Sequence, residues 1–175
     1  MFTRNRAAGA AGAALILFAL AACADPAVDT STRTDEGEIA EAGTVGVYKL
    51  QVGDCVNDPS MLEVSDETTE IAQMSAVPCS DLHTGEVVLA DAEYFATAED
   101  SYPGEEVIAS RSTEACVTAL GEYTATVYED SNFDVMPIYP IAEGWSTDRG
   151  LTCVGVVLSE NTWLPIESTG SIKAA

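Results

Sequence analysis

The stretch EEVIASRSTEACVTALGEY, residues 105 to 123, decides the fold, because it carries a clear helical pattern in a chain otherwise patterned as strands. Pro103-Gly104 opens it, and Glu105 and Glu106 fill the first turn, where the helix dipole favours acids. Ile108, Ala115, Cys116, Ala119, Leu120 and Tyr123 recur at three- and four-residue spacing and so share one face. That face turns Cys116 inward, toward the sheet the strands must build.

The strands lie on both sides of the helix. Val45 to Gln51 (VGVYKLQ) has strand composition, and Gly53-Asp54 turns the chain into Cys55. Thr69 to Val77 alternates weakly, whereas GEVVLADAEYF, beginning at Gly85, is a stronger strand. Phe133 to Ile141 (FDVMPIYPI) holds Pro137 and Pro140, which donate nothing to a ladder, so it reads as an edge or broken strand. Gly150 to Leu158 (GLTCVGVVL) reads as central. Together these predict an α+β fold, a small antiparallel sheet packed with one main helix.

The N-terminus fixes an expected compartment. MFTRNR carries Arg4 and Arg6 and no acid, and AAGAAGAALILFALAA follows, which is a signal-peptide layout. The apolar run falls short of the roughly 20 residues needed to cross a bilayer. It ends at Leu20-Ala21-Ala22-Cys23, which resembles the lipobox of bacterial lipoproteins. That resemblance implies a lipoprotein signal peptide over residues 1–22, cleavage before Cys23, and fatty acylation of Cys23, palmitate included. An ordinary secretory signal is the plainer reading. Either one exports the chain to an oxidising medium.

Five cysteines then divide as one plus four. Cys55, Cys79, Cys116 and Cys153 admit three pairings that spacing alone leaves open. A helix cysteine facing the central strand that carries Cys153 favours Cys116–Cys153, which leaves Cys55 to Cys79. On the loop-entropy picture two such bridges contribute about 4 and about 3.5 kcal/mol.

Without residues 1–22, seven Lys+Arg less two leaves five against 29 Asp+Glu, a formal charge of −24. Such a chain lacks the cations to neutralise phosphates, so nucleic acid is excluded as a partner. An anionic membrane repels it as well, and any anchor has to be covalent or hydrophobic. The acids are dispersed and form no D-x-D-x-D-G calcium loop. Residues 24–43, ADPAVDTSTRTDEGEIAEAG, lack aromatic residues and are rich in acids and threonines. We expect Cys23 with this segment (23–43) to be a flexible acidic tether, a folded domain over 44–165, and a disordered tail over 166–175. As a random coil the tether spans on the order of 25 Å.

The chemistry-bearing stretch is VPCSDLHTGEVV, residues 77 to 88, which sets Cys79, the single histidine His83 and Glu86 close together. Thiolate, imidazole and carboxylate all ligate zinc, but a structural site needs four ligands, and the other candidates are cysteines wanted for disulfides. A Cys79–His83 nucleophilic pair needs a free thiolate. No G-x-S-x-G elbow or phosphate loop is present, and no two acids are marked as a sugar-cleaving pair. We therefore expect no catalytic residue, metal or cofactor, and read His83 as a hydrogen-bonding residue that shapes the turn before a strand. Trp145 stays open between core packing and an aromatic binding wall, with Asp148 and Arg149 able to pair beside it.

VGDCV at 52–56, VPCSDLHTGEVV at 77–88, the Cys116 helix and WSTDRGLTC at 145–153 together resemble the septum formation domain family of actinobacterial envelope proteins. The resemblance covers roughly residues 45–160. Leu82 departs from a proline usual before the histidine, and Asp148 from a glycine before the arginine. The resemblance implies an extracytoplasmic, disulfide-stapled domain with a link to septum formation and cell division, and it supplies no reaction. The resulting expectation is a non-enzymatic lipoprotein on the outer face of the cytoplasmic membrane. It is held in the lipid bilayer through Cys23, and it binds an envelope protein or cell-wall component through motif residues among His83, Glu86, Trp145 and Arg149. The competing expectation is an envelope hydrolase that acts on cell-wall material through acidic residues.

Overall fold

The computed structural model describes residues 29–63, 71–98 and 101–174. In chain order the strands are β1 (Thr32–Arg33), β2 (Ile39–Glu41), β3 (Gly43–Gly46), β4 (Cys55–Val56), β5 (Gln73–Val77) and β6 (Gly85–Asp91). After the helix α1 (Glu105–Thr124) come β7 (Phe133–Ile138), β8 (Leu151–Leu158) and β9 (Pro165–Ile166). β1 and β2 form a separate two-stranded ribbon, and the other seven strands form one antiparallel sheet in the order β3-β5-β4-β6-β8-β7, with β9 also on β8. The expected α+β fold, with one main helix and two disulfides, is what the chain adopts.

β8 is central because its sequence is apolar at nearly every position, and a strand buried on both faces needs that. Leu151 and Cys153 point into the core beneath α1, while Val154 points into a second core with Val45, Val56, Met74 and Val87. β6 and β7 flank it, and Val157 pairs both with Phe133 of β7 and with Ile166 of β9. β9 therefore occupies the β6 side of β8, past the point where β6 ends. Gly155 allows a close approach: a Cβ there would lie 2.8 Å from Ile172 Cδ1 and 3.0 Å from Leu120 Cδ1, and those side-chain ends would have to shift. Pro137 sits in β7 at the end of the strand order, where a missing donor costs no ladder bond.

The helix buries Ile108, Ser112, Cys116, Leu120 and Thr124, one stripe at four-residue spacing, and the half-buried Ala115, Ala119 and Tyr123 flank it. Cys116 reaches Cys153 of β8, and Cys55 of β4 reaches Cys79 just after β5. Both pairings are those favoured from the helix face. Val87 and Val88 face opposite cores by ordinary alternation, and a bulge between Val87 and Leu89 in β6 brings Leu89 to the same core as Val88.

Three expectations on the chain's outline need correction. The strand expected over 45–51 stops at Gly46, opposite Gln73 where β5 begins, and Val47–Lys49 turn as a 3-10 helix because the partner strand has run out. The tether is folded from residue 29 onward. Arg33 makes a two-pronged ion pair with the buried Asp54, at 2.6 and 2.7 Å, and also donates to the Gly37 carbonyl at 2.8 Å. Thr30 and Thr44 exchange hydrogen bonds, and Ile39 enters the core. Composition alone hid this, because one arginine aimed at one buried carboxylate does what apolar area does elsewhere. The tail over 166–175 is likewise held by hydrogen bonds as far as Ala174, as the next section describes. The expected signal peptide, Cys23, the tether's first residues, the start of the 69–77 strand and residue 175 lie outside the described residues.

Removing one member of a buried ion pair strands the other's charge. Arg33 is 19% exposed. Arg33→Ala is therefore expected to cost about 2 kcal/mol. Amide exchange over residues 30–41 should quicken in the variant while β6 and β8 stay protected, which hydrogen-exchange mass spectrometry reads directly.

Candidate functional site

Glu86 is the residue of the 77–88 stretch around which most is arranged. It lies in β6 opposite Gly155 and is 1% exposed. Its parity puts it on the helix side of the sheet, under the last turn of α1. There Oε1 accepts from the Tyr123 hydroxyl at 2.5 Å and from Ser171 Oγ at 2.7 Å, and Oε2 accepts from the Ile172 backbone N–H at 2.7 Å. All three donors are neutral. A buried carboxylate needs such donors, because a desolvated charge left unbonded would be expensive. Sequence reading named Glu86 and missed its partners, since Ser171 and Ile172 lie about half the chain away; the spacing of Tyr123 placed it on the inner face, but nothing in the sequence pointed that face at Glu86.

The tail is fixed by the same contacts. Ser168 and His83 bond mutually through their backbones, the Gly170 N–H donates to the Cys79 carbonyl at 2.6 Å, and the Ala174 N–H donates to the Tyr123 carbonyl at 3.0 Å. The segment after β9 thus closes over Glu86 and is fastened to the backbone of Cys79.

His83 is also buried, 1% exposed, and its Nδ1 lies 2.9 Å from the Asp81 carbonyl. A carbonyl only accepts, so the ring proton sits on Nδ1 and the histidine closes the turn before β6. This is the turn-shaping role read from the sequence. The structure does not bring His83 together with Cys79 and Glu86 as a ligand set. Among the described residues the three groups whose ligand atoms do converge, all within 4.8 Å of one another, are Cys55, Cys79 and Glu86, and both sulfurs are joined in the disulfide.

Trp145 belongs to the core. It is 3% exposed, its ring centroid lies 5.9 Å from Phe95 and 5.4 Å from Tyr102, and the Arg149 guanidinium stacks 4.0 Å over it. The binding-wall reading falls for that reason. Arg149 Nε donates to the Trp145 carbonyl at 2.6 Å and its NH1 to the Phe95 carbonyl at 3.3 Å, tying the loop after β6 to the loop before β8. Asp148 accepts from Tyr48 Oη at 2.7 Å.

Two concavities among the described residues bear on the site. One, of about 890 Å³, is an open groove between the outer side of α1 and the loop after β6, with Tyr94 and Phe95 on one wall, Ala115, Thr118 and Ala119 on the other, and Arg111, Glu114 and Glu122 beside them. Tyr94 and Phe95 meet edge to face at 4.9 Å. The other, of about 450 Å³, is a cleft floored by the Cys55–Cys79 bridge and Glu86, walled by the β1–β2 ribbon, the turn at Gly53 and the residues after β9. His83 lines neither.

Burial, and then the neighbouring carboxylate, raises two phenols: Tyr123 beside Glu86 above the usual tyrosine range, and Tyr128 beside Asp134 to about 12. A group whose folded pKa is raised contributes stability that is complete below its unfolded value and disappears as pH climbs toward the folded one. The wild-type denaturation midpoint should therefore fall steeply between pH 10 and 12. Tyr128→Phe should flatten that fall and remove one late step from the phenolate absorbance titration; loss of a step near pH 10 instead would show Tyr128 to be an ordinary surface phenol.

Residues 52–175 match the family model for septum formation. No curated protein and no solved structure matches the chain. The matched span opens three residues before Cys55, takes in all four bridging cysteines, His83, Glu86 and the buried Trp145–Arg149 stack, and runs through the residues that close over Glu86. The chain belongs to the septum formation family.

Proposed function

We propose that this chain is a non-enzymatic binding module of the cell envelope, tethered to the outer face of the cytoplasmic membrane by lipid on Cys23 and engaged with the machinery that forms the septum. The observation that carries the binding reading is the groove along α1. It is open, flanked by the exposed Tyr94, the buried Phe95 and exposed or half-buried small residues, and rimmed by Glu114 and Glu122 on a chain of strong negative charge. Small side chains on a helix let an extended segment approach closely, and aromatic walls supply contact area at low entropic cost. The charge favours a partner with basic groups, whose encounter it would accelerate. Support for binding over hydrolysis comes from the two residues best suited to chemistry. Glu86 accepts from three fixed donors, and His83 is closed into a turn away from both concavities.

The test is a pull-down from membranes with the full lipidated chain, beside Tyr94→Ala combined with Thr118→Glu, both positions being exposed. The variant should keep its circular dichroism and lose the partners held by the native chain. Recovery of the same partners by both proteins would remove the groove from the contact. Release of soluble fragments from purified cell wall by the isolated protein would turn the reading to the hydrolase. For the anchor, Cys23→Ser should move the chain from the membrane to the aqueous fraction and abolish labelling by palmitate; retention at the membrane would sink the lipid tether.

A further inference from the structure

The two disulfides have different surroundings. Cys116 and Cys153 are both fully buried between helix and sheet, with the Trp145 cluster beside them. Cys55 is buried too, but Cys79 is half-buried, and both line the cleft of about 450 Å³ together with Glu86. A reductant that approaches from solvent meets the second bridge and not the first. Access is one of the main controls on thiol–disulfide exchange, so the bridges should open in that order.

We infer that the Cys55–Cys79 bridge is the closed state of a redox-gated zinc site. Opening it takes two electrons from a dithiol reductant. The reductant's thiolate attacks one sulfur of the bridge, the S–S bond breaks, the second reductant thiol resolves the mixed disulfide, and each cysteine takes up a proton. Two thiols and the Glu86 carboxylate then stand where three ligand atoms already lie within 4.8 Å of one another. Around a tetrahedral zinc, with Zn–S about 2.3 Å and Zn–O about 2.0 Å, neighbouring ligand atoms are roughly 3.5–3.8 Å apart. The two sulfurs, at bonding distance in the closed bridge, have to move apart to that spacing by rotation about their Cα–Cβ bonds once the bridge is open, from Cα atoms 5.2 Å apart. Binding releases the two thiol protons, and Glu86 is held in place for the ion by Tyr123, Ser171 and Ile172, as second-shell donors orient a ligating carboxylate.

The donor set selects the metal. Two thiolates with one carboxylate suit zinc and disfavour calcium and magnesium, which take oxygen ligands throughout. Three protein ligands leave a fourth position open toward the cleft. Lys173 lines the same cleft, so its ammonium offsets part of the excess negative charge of two thiolates and a carboxylate around one divalent ion. While the bridge is intact the sulfurs have no capacity for the ion.

The experiment uses the full-length Cys23→Ser chain, so that only the four bridging cysteines remain. Graded reduction followed by alkylation and peptide mapping should label Cys55 and Cys79 before Cys116 and Cys153. Titration of the partly reduced protein with zinc alone should give one equivalent bound, against none for the oxidised protein, and zinc should protect Cys55 and Cys79 from alkylation. Cobalt in its place should show sulfur-to-metal charge transfer and the intense visible bands of a tetrahedral site. Glu86→Gln should weaken zinc at least tenfold and shift the cobalt bands; if that variant fails to fold, the protection and cobalt measurements on the Glu86 chain decide alone. Simultaneous opening of both bridges, equal zinc binding by oxidised and reduced protein, or unprotected Cys55 and Cys79 would each overturn the inference.

Discussion

Strand β8 must be covered on both faces and paired along both edges, and the rest of the molecule is arranged by that need. Its apolar run from Leu151 to Val156 leaves no side fit for water. One face takes α1, fastened by Cys116–Cys153; the other takes the core built by Val45, Val56 and Val87. Gly155 marks how close the helix and the C-terminal residues come. A strand with these demands cannot be an edge, so β7, with its proline, takes the outside, and β9 extends the inner edge where β6 stops. The site follows from the same register, since Glu86 faces Gly155 and therefore meets Tyr123 and Ile172.

The chain's second constraint is a shortage of cations. Of the five Lys+Arg beyond residue 22, Arg33 neutralises Asp54, Arg149 stacks on Trp145, and Lys173 lies 5.8 Å above the Tyr123 ring. These are interior or cleft positions, where a charge or a flat guanidinium contributes most. Glu86 receives no ion-pair partner among the described residues and is stabilised by oriented neutral donors instead. The outer surface is left strongly acidic, which suits self-repulsion and attraction to basic partners.

Features with a local period were legible in the sequence. The helix bounds, the central and edge strands and the inward turn of Cys116 all came from spacing within a dozen residues, and the disulfide pairing followed from them. What could not be read was set by single long-range contacts. Arg33 reaches Asp54 across 21 positions and Ile172 reaches Glu86 across 86, so an acidic, apolar-poor segment looked like a tether and the end of the chain like a loose tail. Trp145 could not be decided because its neighbours Phe95 and Tyr102 arrive from distant loops. His83 and Glu86 stand close in sequence and yet do separate work: one closes a turn and the other anchors the last residues of the fold.

That anchoring bears on the order in which the molecule can be made. Glu86 is synthesised early and remains without two of its three donors until Ser171 and Ile172 exist. A chain emerging from its N-terminal end can form α1 and pair β6 with β8, yet it carries a carboxylate at the helix–sheet junction that still needs water. Complete drying of that junction therefore waits for the final segment to arrive, so maturation is a terminal event rather than a progressive one. A chaperone or transport channel that releases the chain piecemeal would meet an intermediate still hydrated at this point.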